Sequence, residues 1–182
     1  HYKHAIQLVP REDFYYLYLG RAYLEYASSL DDAMVRESVM QEAEKVLTKA
    51  RELNPLNTDH SANLARMYRR WADFTSDQSA KTELLHKSSL NYEWATTLSP
   101  QNAIIWNEWS MLYLYGLGDQ TGYERTHQRS LEIDADFDQT WLICGDANRQ
   151  LGELEAAVHC YTEALRITPR SAQVWRVLGD TY

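Results

Sequence analysis

The chain has 182 residues, and 18 Lys and Arg against 26 Asp and Glu give a formal net charge of −8. Apolar residues make up 45% and charged residues 24%, which is the balance of a folded domain, not a disordered tail. Only 7 Gly and 4 Pro are present, too few turn signals for a many-stranded sandwich or barrel. Nucleic acid is disfavoured as a partner, because phosphate binding needs a basic footprint, and residues 92–182 carry 6 basic against 13 acidic side chains.

The four prolines, Pro10, Pro55, Pro100 and Pro169, stand at intervals of 45, 45 and 69. Proline stops helices, so quasi-regular stops predict an internal repeat. The interval of 69 divides into 35 and 34 if Ala135 takes the place of a fifth stop. Residues 1–10, with Tyr2 and Ala5, read as the tail of a helix whose partner is missing, as in a piece of a longer chain.

Residues 13–55 read as a helical hairpin, with Tyr16, Leu19, Gly20 and Tyr23 on its first helix (A) and Ala43, Leu47 and Ala50 on its second (B). Residues 58–100 repeat this with Leu64, Ala65 and Tyr68, then Ser88, Tyr92 and Ala95. These two repeats each run 11 residues beyond the 34-residue standard, about three helical turns, and both arms are expected to lengthen. The intervening turns, Ser28–Asp32 and Thr75–Ser79, carry the residue types expected of N-caps. Residues 103–135 give Trp106, Trp109, Ser110 and Tyr113, then Tyr123, His127 and Ser130, in a copy one residue longer than standard. Residues 138–169 give Trp141, Cys144 and Gly145, then Ala157, Tyr161 and Ala164. Residues 172–182 restart the pattern with Trp175, Leu178, Gly179 and Tyr182.

This pattern resembles the tetratricopeptide repeat, whose helix A carries W–L–G–Y and whose helix B carries A–F–A–P. Gly145 and Gly179 fall at the family's glycine, and Cys144 departs from its leucine. The resemblance implies an all-α chain: one right-handed superhelical solenoid domain of antiparallel helix pairs over residues 1–182, its first two full repeats elongated.

Chemistry is not signalled. Gly116, Gly118 and Gly122 lack a preceding strand and a following Lys, so they read as an inter-helix turn and not a phosphate loop. No three histidines have ligand spacing, and neither a nucleophile elbow nor a Cys/His signature occurs. No enzyme activity, cofactor or metal is expected. No 18-residue apolar run occurs, since Ala103–Gly118 is broken by Asn107 and Glu108, so these residues are not expected to enter a membrane. Cys144 and Cys160 fall on the two helices of one hairpin and read as buried free thiols, with a disulfide as the alternative.

In the family the A helices line a concave face. On this register the face carries Tyr18, Arg21, Asn63, Arg66, Arg70, Asn107 and Met111. Arginine forks suit carboxylates or phosphates, and Asn amides suit a peptide backbone. The expected role is a non-enzymatic scaffold that binds a protein or peptide, acidic or C-terminal, in this groove. A looser resemblance of residues 53–73 to soluble tails of bacterial O-antigen ligase/polymerase-type membrane proteins implies an alternative, a regulatory or assembly tail in cell-surface polysaccharide synthesis. Repeat arrays need capped ends, so self-association through exposed ends is also expected.

Overall fold

The computed structural model describes residues 1–182, which form ten α-helices, one π-helical turn and no strand. The proline stops end helices as the spacing predicts. Val9, Asn54, Ser99 and Thr168 each leave helical geometry immediately before a proline, with φ between −142° and −123°, as expected where a following pyrrolidine ring disfavours the helical region. Asp134 does the same before Ala135, at φ −147°, so the fifth stop holds without a proline.

Two units follow one another, His1–Pro100 and Gln101–Tyr182. The first contains α1 (Tyr2–Leu8), α2 (Asp13–Ser28), α3 (Ala33–Leu53), α4 (Thr58–Phe74) and α5 (Gln78–Leu98). Asp32 caps α3 through the amides of Met34 and Val35, and Asp77 caps α5 through that of Ala80. Such caps contribute about 1 kcal/mol each. Helices α2/α3 and α4/α5 form the two hairpins, and small residues let them close. Gly20 lies under Leu47, where an added β-carbon would stand 2.4 Å from Cγ, and Ser88 donates to the Ala65 carbonyl at 2.8 Å.

The second unit contains α6 (Ala103–Met111), which runs into a π-helical turn, π1 (Leu112–Leu117), then α7 (Gln120–Ile133), α8 (Asp138–Leu151), α9 (Leu154–Ile167) and α10 (Ala172–Gly179). Gly118 turns the chain at φ 62° and Gly152 at 78°, a left-handed conformation open mainly to glycine. The core of α8–α10 gathers Leu142, Ala157, Tyr161, Ala164, Leu165, Val174 and Leu178.

The first two hairpins are the long ones, but the extra length is unequally shared. Helices α3 and α5 have 21 residues against 14 in α7 and α9, whereas α2 and α4 have 16 and 17 against 14 in α8. The single extra residue of the third repeat is taken up inside a helix, as π1.

An aromatic side chain six residues after a stop fastens successive repeats. Tyr16 donates its hydroxyl to the Pro10 carbonyl at 3.1 Å, Trp141 its indole N–H to Ala135 at 2.8 Å, and Trp175 to Pro169 at 2.9 Å. Each bond satisfies a carbonyl of the short linker between one helix and the next.

The reading of Cys144 and Cys160 as free thiols is corrected. The two form a disulfide joining α8 to α9, with Cα atoms 5.7 Å apart, inside the range a bridge requires. Gly145 and Ala157 are the small residues that let those two helices approach.

Candidate functional site

In the first unit α2 and α4 lie side by side, tied at both ends. At the start of both helices the buried His60 Nε2 lies 2.6 Å from Asp13 Oδ2. At their far ends Arg70 donates to Ser28 Oγ at 3.3 Å. Burial by itself would raise the Asp13 carboxyl, but hydrogen bonds from His60 and Asn54 hold it below its ordinary value. His60 stands where equivalent helices carry Tyr15, Ile105, Thr140 and Val174, and its Nδ1 has no partner.

Five of the seven groove residues lie on this pair of helices. Tyr18 on α2 is 41% exposed and stacks on Tyr2 at 5.8 Å and on Phe14 at 6.3 Å. Arg21, one turn further along, is exposed. On α4, Arg70 is exposed and sits over the Phe74 ring at 5.6 Å, and Arg66 is half-buried. Asn63 is buried, and its amide donates to the Asp59 carbonyl of its own helix at 2.8 Å. The accessible part of this face is therefore an aromatic pair, Phe14 and Tyr18, followed by Arg21, Arg66 and Arg70. Glu25, Asp59 and Asp73 are exposed acids on the same two helices.

Asn107 and Met111 belong to the second unit, one turn apart on α6. Asn107 is buried at 3% exposure and its Oδ1 has no partner. Met111 is half-buried against the cluster of Tyr123, Ile143 and Ala147.

The accessible feature of the second unit is a carboxylate clamp. Asp146 on α8 accepts from Tyr115 of π1 and from Tyr161 of α9, each at 2.7 Å and each on a different oxygen. Burial first, and the neighbouring carboxylate second, push both phenols above their ordinary range. Nearby, burial pushes His127 down to about 4, which keeps it neutral at physiological pH. Asp146 was not among the groove residues read from the sequence. Periodicity did not reveal the clamp, which depends on the π turn to carry Tyr115 to α8.

No three His, Cys, Asp or Glu side chains converge as metal ligands, and no helix is long and apolar enough to cross a membrane.

A model of the TPR repeat matches residues 145–182. Over 99% of this chain and 86% of the other, the structure superposes on TTC0263, a thermophilic TPR protein of Thermus thermophilus, with a TM-score of 0.80 at 15% identity. Residues 145–182 thus match the TPR repeat, and the whole chain shares the fold of a TPR protein. MamA is similar over 94% of this chain and 87% of its own, with a TM-score of 0.61 at 17% identity. The human IFIT1 dimer with PPP-AAAA is similar over 97% of this chain but only 47% of its own, with a TM-score of 0.71 at 14% identity. No curated protein matches the sequence. A TPR fold suggests a protein–protein interaction scaffold, and TPR proteins are generally non-enzymatic.

Proposed function

We propose that this chain binds an acidic peptide or protein segment on the α2–α4 face, with Arg21, Arg66 and Arg70 as its anion contacts and Tyr18 as an apolar contact. The observation that supports this is a run of guanidinium groups beside exposed aromatic rings in a chain of net charge −8. Arginine forks hold carboxylates through paired, charge-assisted hydrogen bonds. The burial of Asn63 makes it a support of the face more than a direct contact. In this reading the protein has no chemistry of its own and acts by bringing partners together.

The test is titration of fluorescent acidic peptides, some with a free C-terminus and some amidated, against wild type and Arg21→Ala/Arg70→Ala. The double variant should weaken binding by about tenfold or more, the loss expected of a charge-assisted contact. Equal affinity for both proteins would remove this site.

A further inference from the structure

The added turns of the first two hairpins bring two arginines together. Helices α7, α8 and α9 have 14 residues each. Measured against 14 residues on from Asp13, back from Leu53 and on from Thr58, three side chains lie in the extra length: Ser28 of α2, Arg36 of α3 and Phe74 of α4. There Arg36 Cζ stands 4.7 Å from the centre of the Phe74 ring, and Arg70 Cζ 5.6 Å. Two like charges on one ring repel each other, yet no carboxylate lies within ion-pair distance of either. Among the acids beside them in sequence, Asp32 caps α3 and Glu37 accepts from the Trp71 indole at 2.7 Å. Asp31 and Asp73 are exposed. Most of the guanidinium donors are unused. Arg70 Nε donates to Ser28 Oγ at 3.3 Å, Arg36 donates to the Leu30 carbonyl, and Arg36 Nε is buried with no partner, whereas each guanidinium offers a whole fork of N–H groups.

We propose that the segment bound on the α2–α4 face carries a phosphorylated serine or threonine, whose phosphate is held at the far end of that face by Arg36 and Arg70. This rests on the acidic-segment reading above and adds which acid is recognised. A phosphate monoester brings about −1.5 to −2 charges at neutral pH and three acceptor oxygens. That matches two guanidinium charges, where a lone carboxylate matches one. Guanidinium forks take phosphate oxygens in pairs. The Phe74 ring attracts both cations and holds them before the ligand arrives, so less side-chain freedom is lost on binding. The lengthened arms thereby gain a role, since helices of 14 residues would carry neither Arg36 nor Phe74 to this point.

The test uses one fluorescent peptide of glutamates flanking a central serine, with the serine unmodified, phosphorylated or replaced by glutamate. Wild type should bind the phosphoserine form at least about tenfold more tightly than the glutamate form, as a second charge-assisted contact provides. Arg36→Gln should bring these two forms to equal affinity. If far-UV circular dichroism shows that Arg36→Gln does not fold, Arg36→Lys takes its place. A point charge without the fork should cut the ratio at least about threefold. Equal affinity of wild type for the two forms, or a ratio that survives both substitutions, overturns the proposal. If the serine form still binds wild type and is weakened in Arg21→Ala/Arg70→Ala, the acidic-segment reading stands without the phosphate. If no form binds wild type, both readings fall.

Discussion

Tyr161 crosses Gly145 so closely that a β-carbon on the glycine would stand 2.2 Å from ring atom Cε1. The ring cannot easily give way, because it is fully buried and its hydroxyl is fixed on Asp146 at 2.7 Å. Alanine at an unconstrained helical site gains about 1 kcal/mol over glycine. Forcing an extra methyl into a packed site costs more, typically about 1–3 kcal/mol. Gly145→Ala should therefore lower stability in urea unfolding, while Gly179→Ala, with open space around it, should be neutral or mildly stabilising. A stabilised Gly145→Ala would mean that the α8/α9 contact is looser than described.

Tyr115 and Tyr161 bind their protons more tightly in the folded chain than in the unfolded one. Stability from the Asp146 clamp should then be complete below the ordinary tyrosine range, near pH 10, and fall as pH rises beyond it. Phenolate absorbance should show fewer than the full 13 tyrosines ionising by about pH 11. Asp146→Asn should return at least one tyrosine to the ordinary range, and an unchanged titration curve would count against the clamp.

Asp13 works in the opposite direction. Its carboxyl is held below the ordinary value when folded, so its contribution is present above the ordinary carboxylate range and is lost as pH falls through the folded value. Urea midpoints of wild type and Asp13→Asn should differ at pH 7 and converge in acid. His60→Ala removes the partner of a buried carboxylate and should cost about 2–4 kcal/mol at pH 7. Identical pH profiles for wild type and Asp13→Asn would rule out the tie between α2 and α4.

The Cys144–Cys160 bridge closes a short loop, with 16 residues of sequence separation. A loop of that size restricts the unfolded chain by about 3 kcal/mol. Reductant should lower the unfolding midpoint of the wild type and leave Cys144→Ser/Cys160→Ser unchanged. A reductant-insensitive wild type would show that the thiols are not joined.

The hairpins were legible because each rests on a local and repeating cause, namely a stop, a cap, or a small residue facing a large one. Gly20 and Gly145 do in the structure what their spacing predicts, and within the two turns expected to hold N-caps the structure uses Asp32 and Asp77. Depth was not legible. Helical periodicity assigns Asn63 and Asn107 to a face, but whether that face is open at those points depends on neighbouring helices, and both side chains are buried. The Asp13–His60 tie joins residues 47 positions apart in different hairpins. Its only sequence signal was a histidine at a place where the other repeats carry Tyr, Ile, Thr or Val. The bridge between Cys144 and Cys160 needed the distance between two helices, which spacing along one chain does not give.

The π turn shows how the array tolerates an odd residue. In an α-helix each residue advances the side chains by about 100°, so an extra one carried in the regular spiral would swing the end of the α6 arm off its seat before α7 begins. Widening one turn at Leu112–Leu117 absorbs the insertion locally, and α7 starts in phase, with Gly122 packed beneath Tyr113. The same widening brings Tyr115 to Asp146. A length error in one repeat has thus become a point of attachment to the next, and variation in repeat length along this chain is a means of placing side chains as well as a departure from the standard.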